Sequence, residues 1–191
     1  MKSKAWLLAA TMVLVGYTAE ATSVSWGAAS SFAVIGGSTV TSTGDTVVEG
    51  DLGVSPGTAV TGFPPGIVTG EIHTGNATAN QAHAAAAAAY GVLVLLAVDA
   101  NLSGENLGSR TLSPGVYKFD TSAQLTGDLV LDGEGEYVFQ IGSTLTTAAG
   151  ATIKTINGAR WENVFFQVGS SATLGADTTF LGSIIADTSV T

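Results

Sequence analysis

A polar residue, an apolar or small residue and then a threonine recur in five short stretches of this chain. They are Thr39-Val40-Thr41, Gln124-Leu125-Thr126, Thr144-Leu145-Thr146, Ser171-Ala172-Thr173 and Ser189-Val190-Thr191. In a strand, successive side chains point to opposite faces, so the middle residue of each stretch would point inward and its neighbours outward. Stacked side by side, such rungs would build one flat surface rich in hydroxyls.

The repeated unit is longer than the rung. Tyr137–Gly142 and Asn163–Gly169 precede two of the rungs, and Val116–Phe119 and Ser183–Ala186 hold the same place in others. A third strand is expected after the turn that follows each rung, at Asp128–Leu131, Ala151–Lys154 and Thr178–Leu181. The last threonines of successive rungs, from Thr126 to Thr191, are 20, 27 and 18 residues apart. Three short strands per unit at a period near 20 predict a three-faced β-solenoid, in which each coil buries its inward residues against its neighbours. The longer interval predicts an extra loop around Asn157–Glu162.

Three segments break the period. Met1–Ala21 reads as a secretory signal peptide, with Lys2 and Lys4, an apolar stretch over Ala5–Tyr17 and a small-x-small site at Ala19-Glu20-Ala21. A single mature domain, 22–191, would follow. Asp51–Gly70 holds Pro56, Pro64 and Pro65 and is expected to form a cap-like loop over one end of the stack. Residues 77–98, with Ala82 and Ala84–Ala89 at their centre, predict one long helix packed along the solenoid. A membrane span is the competing reading, because no charged residue lies between Thr74 and Val98. Asn76, Asn80, Gln81 and His83 weigh against it.

The chemistry that is missing narrows the function. The net charge is −9, which argues against nucleic acid and anionic membrane surfaces. Without cysteine, thiol catalysis and cysteine-type zinc sites are excluded. His73 and His83 have no evident set of further ligands beyond Glu71, so no metal or cofactor is expected. An enzyme would need facing carboxylates. The candidates are Asp120, Asp128, Asp132, Asp177 and Asp187, and most of these sit beside turn glycines where Asp is a normal turn former. Threonine favours strands whatever the function. The informative point is that the rungs recur at one place in each unit and contain no Lys or Arg.

Several longer stretches carry a family resemblance. They are Ala29–Val34, Gly50–Gly57, Thr61–Gly66, Leu112–Tyr117 and Val138–Thr147. In these the chain resembles the microbial ice-binding (antifreeze) proteins built on a discontinuous right-handed β-helix with a flanking α-helix. The resemblance runs from near Trp26 to the end. It implies adsorption to ice through one flat face, with no cofactor and no small-molecule substrate. It also implies further strands beyond Thr191, so the chain reads either as a fragment or as a stack with an open last coil. The Thr-Ala/Gly-x-Thr pattern of some members matches Thr43-Gly44-Asp45-Thr46 and Thr58-Ala59-Val60-Thr61.

The resulting expectation is a secreted, monomeric protein whose partner is the ice surface and its ordered water. The expected ice-binding residues are Thr39, Thr41, Thr43, Thr46, Thr58, Thr61, Thr126, Thr144, Thr146, Ser171, Thr173, Ser189 and Thr191. The alternative is a non-catalytic extracellular structural or adhesion module with the same solenoid fold.

Overall fold

The computed structural model describes residues 25–42, 47, 48 and 50–191. The segment read as a signal peptide lies outside them, as do Thr43 and Thr46.

Short parallel strands follow one another around three faces. The N-terminal coils comprise β1 (Phe32–Gly36), β2 (Thr39–Thr41) and β3 (Val47–Val48), then β4 (Asp51–Val54), β5 (Ala59–Thr61) and β6 (Ile67–Val68), then β7 (Ile72–Thr74). The helix α1 (Ala77–Leu95) interrupts the winding. It resumes with β8 (Ala100–Asn101) and β9 (Arg110–Leu112), then β10 (Gly115–Phe119), β11 (Ala123–Leu125) and β12 (Asp128–Asp132). The next coils are β13 (Tyr137–Ile141), β14 (Leu145–Thr147) and β15 (Thr152–Ile156), then β16 (Val164–Val168) and β17 (Ser171–Thr173), then β18 (Ser183–Ala186) and β19 (Ser189–Val190).

The first face holds the sheets β7-β4-β1 and β18-β16-β13-β10-β8. The second holds β5-β2 and β19-β17-β14-β11, and the third holds β6-β3 and β15-β12-β9. Every pairing is parallel. The N-terminal stack sits against the last coils of the C-terminal stack, β1 against β18 and β2 against β19, with no backbone pairing across the seam among the described residues. The β-helix is therefore discontinuous.

Period-2 alternation places one side of each strand in the core. Tyr117, Phe139, Phe166 and Phe180 form an aromatic column along the C-terminal stack, with ring centroids 5.6, 4.5 and 4.8 Å apart in turn. Ala123, Leu145 and Ala172 line up beneath the second face, and Leu129 pairs with Ile153 beneath the third. β13 and β16 are buried on both sides, which explains why they read as continuous apolar runs.

The helix α1 accounts for that second burial. Asn76 caps its start, its Oδ1 accepting from the Ala79 N–H at 2.9 Å. Ala79, Ala82, Ala86, Ala89 and Leu93 form one buried stripe at helical spacing. That stripe packs on β7, β4 and β1 of one stack and on β18, β16 and β13 of the other, so the helix bridges the seam. It ends at Leu95, short of the expected 98. There the buried Gln140 amide donates to the carbonyls of Leu93 and Leu96 at 2.7 and 3.0 Å. Among the described residues, no helix is long and apolar enough to cross a membrane.

Two expectations change. Asp51–Gly70, read as a cap-like loop, forms a full coil, with β4 between β1 and β7. Its strands are only two to four residues long and are broken by proline-containing turns, so they gave no periodic signal. Thr178–Leu181 contributes a single bridge, Thr152 to Thr179, where a full strand was expected. The turn at Asn157-Gly158 and a 3₁₀ turn over Trp161–Asn163 occupy the predicted extra loop.

Candidate functional site

The three faces differ in what they offer to solvent. The first is covered by α1. The third carries charge, with Asp128 paired to Lys154 and Asp132 accepting from Asn157 Nδ2 at 2.6 Å. The second face is uncovered, and its strands bear no ionised side chain. That asymmetry selects the second face as the candidate site.

Register builds two columns of polar side chains on it. Ala123, Leu145, Ala172 and Val190 are aligned inward neighbours. The residues before them, Ser122, Thr144, Ser171 and Ser189, form one outward column. The residues after them, Gln124, Thr146, Thr173 and Thr191, form the other. In the N-terminal stack Thr39 pairs with Ala59 and Thr41 with Thr61, over the inward pair Val40 and Val60. Because β2 lies against β19, these residues extend the surface across the seam.

Hydroxyl groups are tied from rung to rung. Thr144 Oγ1 donates to Ser122 Oγ at 2.8 Å, Ser189 Oγ to Ser171 Oγ at 3.0 Å and Thr61 Oγ1 to Thr41 Oγ1 at 3.1 Å. Each bond fixes a χ1 rotamer on an exposed surface, where a free hydroxyl would otherwise rotate. These three pairs are thus held in fixed orientation. The intervals of the columns follow from strand geometry: about 6.6 Å between alternate residues along a strand and about 4.8 Å between strands.

The structure brings together Thr39, Thr41, Thr61, Thr144, Thr146, Ser171, Thr173, Ser189 and Thr191 in these columns. It places two others elsewhere. Gln124 pairs with Thr146 and Leu125 with Thr147, so the rung is Ser122-Ala123-Gln124 and Thr126 falls one step beyond it. The Thr126 hydroxyl accepts from Asn106 Nδ2 at 3.1 Å. Thr58 precedes β5 at the corner of its coil, close to Gly75 rather than in a column. Ser122 is the residue that sequence reasoning passed over. Alternation through Ala123 marks it, but Leu125 offered an equally apolar centre two residues later.

Most of the groups weighed for other chemistry have structural roles. Lys118 Nζ lies 2.9 Å from Asp120, which also accepts from Asn101 and Ser103, and these donors hold its carboxyl down at about 2. Asp177 occupies a turn with φ 58°. His73 lies on β7, 3.6 Å from Glu71. Among the described residues, no group of three or more His, Asp or Glu could hold a metal.

Comparison with known proteins gives one consistent family. A family model described as Ice-binding-like matches residues 34–191. An ice-binding protein of Nostoc sp. (strain HG1) is 54% identical over 178 residues, covering 91% of this chain and 66% of its own length. An ice-binding protein of Leucosporidium sp. (strain AY30) is 34% identical, covering 88% of this chain and 74% of its own. The crystal structure of an ice-binding protein from the Antarctic ascomycete Antarctomyces psychrotrophicus matches with a TM-score of 0.81 at 41% identity. The match covers 86% of this chain and 83% of that one. The chain thus spans just under two thirds of the Nostoc protein.

Proposed function

This chain belongs to the ice-binding-like family, and we propose that it adsorbs to ice through the second face of its β-helix. The observation that carries this reading is the pair of uncharged, register-locked columns on a face that α1 leaves open and whose strands bear no ionised side chain.

The mechanism follows from water structure at such a surface. Hydroxyls held at fixed intervals anchor water, while the threonine methyls limit competing hydration geometries. Water ordered in this way can merge with the ice lattice. A charged side chain would hold its own shell in a different geometry, so the absence of ionised groups from these strands is part of the design. Adsorbed molecules pin the growing surface and slow recrystallisation, with no bond made or broken and no cofactor required. The site of action in this reading is extracellular, with Met1–Ala21 as the export signal.

The direct test is ice recrystallisation inhibition by purified Thr22–Thr191, with circular dichroism reporting β content. Inhibition by the folded protein supports the reading. A folded protein that fails to slow recrystallisation overturns it.

A further inference from the structure

The two columns of the second face are not equivalent. In the first, all four side chains of the C-terminal stack are tied in pairs, Thr144 to Ser122 and Ser189 to Ser171. A hydroxyl that donates within such a pair has no proton left for water. Thr144, Ser171 and Ser189 are also only half-exposed. In the N-terminal stack the same column holds Thr39 and Ala59, so no single residue type repeats along it.

The second column repeats one residue. Thr146 and Thr173 are register partners on β14 and β17, Thr191 follows β19, and Thr41 and Thr61 hold the same place on β2 and β5. All five are exposed. Among the described residues, the hydroxyls of Thr146, Thr173 and Thr191 have no protein partner, so their donor and acceptor sites face solvent. The bond within this column, Thr61 Oγ1 to Thr41 Oγ1, lies in the N-terminal stack. Threonine is stiff at χ1, so a methyl and a hydroxyl recur in a restricted set of positions at each strand interval.

Gln124 breaks the repeat. It is the exposed register partner of Thr146 on β11. Its amide stands on a longer, more rotatable stem, which reaches beyond the threonines and costs more entropy to hold still. One coil further, Asn106 bridges to Gln124, but its side chain is engaged with Thr126 and Gly108. Glu105 and Arg110 form an ion pair beside it, so the uncharged surface ends there.

On the reading that the second face adsorbs to ice, we propose that the threonine column is the strip that makes contact and that Gln124 sets where the contact ends. The first column braces neighbouring coils. Threonine at position 124 would lengthen the strip by one rung. Glutamine at position 146 would cut it, leaving Thr173, Thr191, Thr41 and Thr61. Each exchange installs a side chain that the fold already carries at the same register one coil away, so neither asks the strand for a new shape.

The test measures the protein concentration that halves ice recrystallisation for Gln124→Thr, for Thr146→Gln and for Ser171→Ala with Ser189→Ala, each against the unaltered chain. Circular dichroism and Tm establish that each is folded. Gln124→Thr should lower that concentration about threefold, and Thr146→Gln should raise it about tenfold. The paired serine variant should raise it less than Thr146→Gln does. A loss in Thr146→Gln without a gain in Gln124→Thr, or an equal loss in the serine variant, would overturn the column assignment while leaving the face in place. Unaltered inhibition in every variant would overturn the face as well.

Discussion

Asp120 shows how a single side chain makes the stability of the solenoid vary with pH. Its carboxyl titrates at about 2 in the folded chain against an ordinary value of 3.8, chiefly because Lys118, Asn101 and Ser103 bond to the ionised form. A lowered folded value means stabilisation that is complete above 3.8 and disappears as the pH falls through about 2. Asp120→Asn should therefore flatten the loss of thermal stability across that window, measured as Tm against pH; an unchanged slope would contradict the assignment. The effect is modest, because the side chain is half exposed. In the core, Phe166 is fully buried between Phe139 and Phe180. Phe166→Ala should cost about 3–5 kcal/mol in a denaturant titration. Residue identity also explains the register error at Thr126. Ser122-Ala123-Gln124-Leu125-Thr126 offers two inward apolar positions two residues apart, and alternation alone favours neither. The backbone ladder decides, through Ala123 N–H to Thr144 O at 2.9 Å.

At the scale of elements, α1 was legible from its alanines, but its end was not. The helix stops where a glutamine 44 residues beyond Leu96 reaches its last carbonyls, and no local capping signal marks that point. Gln140→Leu should destabilise the protein by about 1–3 kcal/mol, because the carbonyls of Leu93 and Leu96 lose their buried donor. A melting curve that does not move would show that solvent replaces it. Gly91 gives the opposite case. It is helical and exposed, and an added methyl there would meet nothing within 4 Å. Gly91→Ala should raise stability by about 0.5–1 kcal/mol, measured as a shift in the urea midpoint. The two- to four-residue strands of 51–70 were illegible for a different reason. Elements that short carry no period, and three prolines in the turns between them read as loop until their neighbours β1 and β7 are seen in register on either side.

At the scale of the molecule, the architecture divides the labour among faces. The first is spent on packing α1, which ties the two stacks together across their seam. The third carries ion pairs toward solvent. The second is left flat and uncharged. The solenoid and the hydroxyl rungs were readable in the sequence because period and alternation encode them. Which face the helix covers was not, because that depends on where α1 docks. Because the columns are uncharged, ice adsorption should vary little with ionic strength over a range that screens exposed charges. Recrystallisation inhibition compared between two folded variants tests whether the second face adsorbs to ice. Thr146→Tyr with Thr173→Tyr places bulk at adjacent positions of one column on the second face. Thr111→Tyr places the same side chain on the exposed side of β9 on the third. Adsorption through the second face requires a large loss of inhibition in the first variant and wild-type inhibition in the second. Full activity in the first variant, or equal loss in both, would contradict it.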